Sequence, residues 1–183
     1  VVLRVPAHYQ ITKDALNAGK HVFTEWPLGR TLEEADEMAN LTRLKGVTTV
    51  VGLQARAAPA IRQMKQLVDE GYVGEIISCS MGMIRGGVLA RTSDRTWQRD
   101  NELGATTLTI PAGHSLDTIR FVVGEFSEVS SVVSTQVPQW LEPDTQKYLD
   151  VTAPDHILIS GRLANGASVS AHVASVPWAG SGY

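Results

Sequence analysis

The 183-residue sequence contains a single cysteine, Cys79, so it can form neither an internal disulfide nor a cysteine-rich metal site. One cysteine is typical of a protein kept in a reducing compartment. No apolar run reaches the roughly 20 residues that span a bilayer. The 16 basic residues are outnumbered by 19 acidic ones, for a net charge of -3, whereas binding to a nucleic-acid backbone requires a basic surface. These absences argue against nucleic acid and membrane as direct partners.

The residues that are present have an ordinary globular composition, with 43% hydrophobic and 19% charged side chains. In the first 55 residues, short apolar runs alternate with segments of helical periodicity. We expect strands at 1–5, 21–24 and 47–53, and helices at 11–18 and 31–45. This alternation with short connections is typical of a parallel, doubly wound sheet.

Capping residues mark the ends of these two helices. Gly19 and Gly46 are placed to end them. Thr31, followed three residues later by Glu34, predicts a capping box at the start of the second helix. The helical spacing there predicts an inner face made of Leu32, Ala35, Met38, Ala39 and Leu41.

From residue 56 onward the pattern changes to longer strands. We expect strands at 75–83 and 128–135, and a hairpin of 156–163 and 167–174 around Asn165–Gly166. Helical spacing predicts helices at 59–71 and 112–123. The predicted fold is therefore α/β: part of a doubly wound parallel sheet in residues 1–55, then an α+β domain with a largely antiparallel sheet in residues 56–183.

Several candidate site residues follow predicted strand ends, where doubly wound sheets bind ligands. His8 begins a helix and can either face a ligand or serve as a structural histidine. Glu25 stands beside Trp26 and Pro27, an uncommon combination, although a solvated loop acid is the plainer interpretation. Gln54 and Arg56 follow the third strand, and Arg56 suits a carboxylate, a phosphate or a surface ion pair.

Three polar residues, His114, Ser115 and Asp117, stand close together at the start of a predicted helix. A Ser-His-Asp triad needs side chains that converge with distinct orientations, which neighbours on one helical turn do not provide. The Gly-x-Ser-x-Gly elbow and metal-ligand spacings such as His-Glu-x-x-His are also missing. We therefore expect neither a hydrolase nor a metal site.

Several motifs resemble, in order and across nearly the whole chain, the glucose–fructose oxidoreductase, inositol dehydrogenase and MocA family. The residues that carry the resemblance lie at 15–23, 25–29, 51–56, 70–76 and 113–117. The family pattern ALxAGKHVxxEKPLA matches the first two, and GxHxID matches the last. The variant at 25–29, with the sequences around His8 and Gln54, is most similar to the galactose-repressor-like subgroup.

The resemblance implies an NAD- or NADP-dependent oxidoreductase that acts on a sugar or polyol. The family's glycine-rich pyrophosphate loop should precede Val1 and is not in this sequence, so we expect the chain to be an internal fragment that also stops early at Tyr183. By resemblance, the cofactor side is formed by Pro6, His8, Glu25, Trp26, Pro27 and Gln54. The substrate side is formed by Arg56, Trp97, His114 and Asp117, with His114 as the catalytic residue.

Two departures from the family concern proton transfer. The family's catalytic lysine is Trp26 here, and its aspartate four residues before the motif histidine is Ile110. An indole does not exchange a proton at neutral pH and Ile110 has no polar group, although His114 can still act as a base.

Three functions consequently stay open at the level of sequence. The first is a sugar or polyol oxidoreductase. The second is a dinucleotide-binding transcriptional regulator with a protein partner and no turnover, and the third is a decayed homologue. We expect a cytoplasmic protein, or a nuclear one if it is a regulator. A homodimer is implied by resemblance only.

Overall fold

Two parallel strands and two helices make up the first part of the chain in the computed structural model, which describes residues 1–86 and 89–175. The elements are α1 (His8–Asn17), β1 (Val22–Glu25), α2 (Leu32–Lys45) and β2 (Thr49–Gly52). β1 and β2 pair in parallel, with Val22 opposite Thr49. The predicted helix and strand alternation is confirmed. Their carboxyl ends therefore lie at one edge, where the candidate residues Glu25 and Gln54 follow.

The strand predicted at residues 1–5 is wrong. The chain touches β1 only through Val1, whose carbonyl accepts a hydrogen bond from the Glu25 backbone N–H at 3.2 Å. It then enters a 3-10 turn, Val5–Ala7, that leads directly into α1. Pro6 explains the difference, because its fixed φ and missing N–H suit the first turn of a helix rather than a strand.

The predicted caps are present on both helices. Gly19 and Gly46 have φ of 69° and 63°, the left-handed conformation that favours glycine. Thr31 Oγ1 accepts from the Glu34 backbone N–H at 3.3 Å. The reciprocal half of the capping box is replaced, because the Glu34 carboxylate accepts from the backbone N–H and guanidinium of Arg30 instead.

The predicted inner face of α2 is partly wrong. Met38 is fully buried in a cluster with Leu16 and Val22, whereas Leu32 is 71% exposed. At about 100° per residue, Leu32 lies roughly 120° around the helix from Met38 and so falls outside the buried stripe.

A four-stranded sheet forms most of the second part of the chain. Its order is β3-β8-β7-β4, with β3 parallel to β8 and the other two pairings antiparallel. The predicted hairpin is confirmed, with Gly166 at φ 89° in the turn between β7 and β8. The strands are β3 (Ser78–Arg85), β4 (Phe126–Ser134), β7 (His156–Leu163) and β8 (Ser168–Ser175).

Two helices accompany this sheet, α3 (Pro59–Asp69) and α4 (Gly113–Val123). The core lies on the face that carries Ile157, Val173 and Leu163, against Ile119 of α4. A π-helical turn, Leu108–Ala112, leads into α4 and was not predicted. It brings the backbone of residues 108–112 to the edge of the candidate site.

A second unpredicted element is the hairpin of β5 (Gln139–Glu142) and β6 (Lys147–Asp150). Each strand has four residues and alternates few apolar side chains, which explains why the pattern did not reveal it. The predicted second domain runs to residue 183, and its residues 176–183, like 87–88, lie outside the described residues. Within the described ranges, no helix is both long and apolar enough to cross a bilayer.

Candidate functional site

A cavity of about 540 Å³ opens beside the carboxyl ends of β1 and β2. Its lining comes from the first segment, from the loops after both strands, from residues 94–98 and from the start of α4. Six of the residues singled out in the sequence meet here: His8, Glu25, Trp26, Gln54, Trp97 and His114. Residues up to 106 positions apart in the chain are thus gathered around one space.

His8 holds two loops together at the base of this cavity. Its ring is almost completely buried, with Nδ1 2.8 Å from the Pro27 carbonyl and Nε2 2.9 Å from the Leu3 carbonyl. Glu25 Oε2 lies 4.0 Å from Nε2. Because both ring nitrogens have backbone partners, the geometry favours a structural role for His8 that positions Pro27 and the neighbouring Glu25.

Trp26 forms a wall of the cavity rather than a proton-transfer group. Its indole Nε1 donates to the Thr109 carbonyl at 2.7 Å, so the ring N–H is engaged by the π-helical turn. Gly113 makes room for the ring, because a Cβ there would lie 2.5 Å from Trp26 Nε1. The ring centroids of Trp26 and His114 are 6.5 Å apart.

His114 is the lining residue best placed to accept a proton. Partial burial lowers its pKa below the ordinary 6.5, and the Asp117 carboxylate opposes this shift. The imidazole is therefore neutral, and able to act as a base, at neutral pH. Ile110, which also lines the cavity, offers no polar group to assist it.

The wall formed by residues 94–98 was missed in the sequence apart from Trp97. The Arg4 guanidinium carbon lies 5.4 Å from the centre of the Trp97 ring, and Arg4 donates to the Asp94 carbonyl at 3.0 Å. Arg95 and Gln98 line the same wall. The density of charged and aromatic residues at 94–99 is the signal that could have indicated it.

Four predicted residues are absent from the described lining of this cavity. Arg56 and Asp117 bind each other instead: Arg56 Nε donates to Asp117 Oδ2 at 2.9 Å and Nη2 donates to Oδ1. The carboxylate raises the pKa of Arg56. Pro6 belongs to the 3-10 turn that precedes His8, and Pro27 presents its carbonyl to His8. Their direct roles in binding stay predictions.

The Arg56–Asp117 pair leads to a prediction of unequal effects. Asp117 is 8% exposed, whereas the Arg56 side chain is 43% exposed. Arg56→Met leaves a buried carboxylate without its partner, and we expect the free energy of unfolding to fall by about 2 kcal/mol. Asp117→Asn leaves Arg56 free to reach water and should cost less than about 1 kcal/mol. Urea denaturation measures both.

A matched control is Arg120→Met, which removes one partner of an exposed pair with Glu125. That change should stay within about 0.5 kcal/mol of the wild-type protein. Equal losses for Arg56→Met and Asp117→Asn would contradict the prediction that burial of the carboxylate determines the cost.

Two family models match the chain. Residues 59–178 match the model described as Gal80p, C-terminal domain. Residues 1–53 match the model described as oxidoreductase family, NAD-binding Rossmann fold. The first match covers more than half of the chain and the second covers the parallel strands next to the cavity.

The chain is also similar to characterised proteins of two kinds. It is 30% identical over 167 residues to dehydrogenase aclE of Aspergillus oryzae, covering 89% of this chain and 46% of the relative. It is 27% identical over 181 residues to the galactose/lactose metabolism regulatory protein GAL80 of Kluyveromyces lactis, covering 91% and 40%. The chain thus spans less than half the length of these relatives.

Solved structures give the same pair of likenesses. A super-repressor mutant of Gal80p from Saccharomyces cerevisiae superposes with a TM-score of 0.88 at 25% identity, over 98% of this chain and 50% of that one. Levoglucosan dehydrogenase in complex with NADH and levoglucosan superposes with a TM-score of 0.85 at 29% identity, over 95% and 46%.

Proposed function

Because this chain belongs to the oxidoreductase family with an NAD-binding Rossmann fold, with a second part that matches the Gal80p C-terminal domain, we propose that it supplies the nicotinamide and substrate side of an NAD(P)-dependent site for a sugar or polyol. The observation that carries this proposal is the convergence of Glu25, Trp26, Gln54 and His114 on one cavity. The NADH-bound relative, levoglucosan dehydrogenase, supports it.

The residues of the cavity fit a nicotinamide nucleoside chemically. Glu25 and Gln54 offer carboxylate and amide groups of the kind that bind ribose hydroxyls. Trp26 and Trp97 give the cavity flat apolar surfaces, which suit a planar ring. When bound, the cofactor supplies the hydride acceptor or donor.

The chain's own contribution to oxidation of an alcohol is the base. His114 in its neutral form accepts the hydroxyl proton while the hydride leaves the same carbon, so that the alcohol becomes a carbonyl. Burial keeps the pKa of His114 low enough for the neutral form to dominate at pH 7. Trp26 and Ile110 shield the reacting groups from water and take no part in proton transfer.

A second candidate function, a dinucleotide-binding regulator without turnover, is favoured by one specific observation. The indole N–H that stands at the family's lysine position is bonded to the Thr109 carbonyl, and Ile110 stands at the aspartate position. His114 therefore lacks a proton-handling neighbour at both of those positions. Relatives include GAL80 regulatory proteins as well as dehydrogenases.

Titration with NADH tests the binding step shared by both functions, using the full natural polypeptide that contains these 183 residues. We expect saturable quenching of tryptophan fluorescence, because Trp26 and Trp97 line the cavity. Glu25→Gln should weaken NADH binding by about tenfold, the value of a charge-assisted hydrogen bond. The exposed Glu75→Gln change is the matched control and should leave binding unchanged.

Turnover then separates the two functions. The same protein with NAD or NADP is given levoglucosan, xylose, inositol and other polyols, and the absorbance of the reduced cofactor is followed. Turnover supports the oxidoreductase, whereas NADH binding with no turnover across the panel supports the regulator. Absence of NADH and NADPH binding would overturn both.

A further inference from the structure

A second, smaller cavity of about 160 Å³ lies next to the cofactor cavity, and three arginines line it. Arg85 ends β3, Arg91 follows the Leu89–Ala90 segment, and Arg95 belongs to the wall described above. The hydroxyl-bearing side chains of Thr106, Thr107 and Ser175 complete a lining that is rich in hydrogen-bond donors.

The positive charge of this cavity is not neutralised from within the part of the chain that the structure describes. None of the three arginines has an ion-pair partner there. Asp155 also lines the cavity, but its oxygens accept from the backbone N–H groups of residues 136 and 137, at 2.8 Å each, and one of them lies 2.9 Å from His156 Nδ1. Three positive charges thus face one negative charge that is already engaged.

Two buried donors in the lining have no acceptor. The Arg91 guanidinium carbon lies 4.3 Å from the centre of the Trp140 ring, and its Nη1 donates to Gln98 Oε1. Arg91 Nε and Trp140 Nε1, however, are buried without a hydrogen-bond partner. Trp140 is 4% exposed. Buried polar groups are nearly always satisfied, so each of these N–H groups calls for an acceptor.

Arg91 is held in place for such an acceptor. Its contacts with Trp140 and Gln98 fix the guanidinium and so reduce the entropy lost when it binds a ligand. Burial and the neighbouring charges of Arg85 and Arg95 lower the pKa of Arg91. A bound anion would relieve the repulsion among the three guanidinium groups.

We propose that this cavity is an anion site, which binds the carboxylate or phosphate group of a small molecule through Arg85, Arg91 and Arg95. Arginine suits both groups, because its planar guanidinium donates two parallel hydrogen bonds to paired oxygens. A water molecule occupies about 30 Å³ of liquid, so the cavity accepts a group of several heavy atoms.

The position of the site extends the proposed function. Arg95, Gln98 and Ile110 line both this cavity and the one that contains His114. An anionic group held here would be continuous with a hydroxyl-bearing carbon next to His114. The substrate class is then a sugar acid or a sugar phosphate, and this extension rests on the proposed function.

Calorimetric titration of the full natural polypeptide tests the anion site without cofactor or turnover. The probes are inorganic phosphate, gluconate and glucose 6-phosphate, with neutral D-glucitol as the uncharged reference. We expect at least one anion to bind and D-glucitol to bind more weakly. Preference for gluconate identifies a carboxylate site, and preference for phosphate or glucose 6-phosphate identifies a phosphate site.

Variants locate the binding. Arg85→Met and Arg95→Met, both at exposed positions, should each weaken anion binding by about tenfold, and Arg91→Met by more. Because Arg91 packs on Trp140, the two exposed variants keep the test valid if Arg91→Met fails to fold. Arg62→Met removes an exposed charge on α3 and should have no effect. Failure of all three anions to bind, or equal weakening by Arg62→Met, would overturn the anion site even if NADH binds normally.

Discussion

Gly161→Ala is expected to lower the free energy of unfolding by about 3 kcal/mol and to disrupt the pairing of β4 with β7. A Cβ at residue 161 would lie 2.1 Å from the carbonyl oxygen of Glu128 and 3.1 Å from the Cα of Val129. Both atoms belong to the backbone of the neighbouring strand, so no side-chain rotation can relieve the contact. The register of this pairing also shifts between Phe126 and Glu128.

Denaturation in urea, followed by circular dichroism, measures this effect. Gly82→Ala is the matched control: it lies in β3 of the same sheet, and a Cβ there has nothing within 4 Å. We expect Gly82→Ala to change the free energy of unfolding by less than about 1 kcal/mol. Similar losses in the two variants would mean that loss of glycine in the strand, rather than the close approach of β4, determines stability.

His114→Gln is expected to reduce turnover by about 100-fold, the usual contribution of a positioned general base. The residue is half-buried, and glutamine keeps a polar group of similar reach, so we expect the NADH dissociation constant to stay within about twofold of the wild-type value. The measurement is kcat/KM with the best substrate of the panel. His172→Gln, on the uncovered face of β8, is the control and should keep full turnover.

The pH profile provides a separate test of the same residue. Only neutral His114 accepts a proton, and burial lowers its pKa below 6.5. The wild-type kcat/KM for alcohol oxidation should therefore be constant above pH 6.5 and fall as pH decreases through the lowered pKa. His114→Gln should lose this acidic limb. An acidic limb that persists in His114→Gln would assign the base to another group.

Much of the fold follows from local sequence signals. Thr31, Gly19 and Gly46 predict the helix ends correctly, because caps depend on neighbouring backbone groups only. Asn165–Gly166 predicts the hairpin for the same reason. The strand at 1–5 fails because Pro6 directs the chain into a helical turn, a preference that outweighs the apolar run.

The candidate site divides in a similar way. The positions of Glu25 and Gln54 at the ends of parallel strands predict that they meet, and the cavity brings them together with His114. Sequence does not reveal that Arg56 binds Asp117, since the two residues are 61 positions apart. The predicted substrate roles of these two residues compete with the ion pair they form.

The sequence by itself determined the helix ends, the hairpin, the parallel order of β1 and β2 and the family of the chain, because each depends on residues close together in the chain or on an ordered set of motifs. Only the tertiary structure decided that Trp26 binds the Thr109 carbonyl and that Arg85, Arg91 and Arg95 line one cavity. Hydrogen bonds and charge interactions act over a few ångströms of space, and folding alone determines which distant residues come within that range.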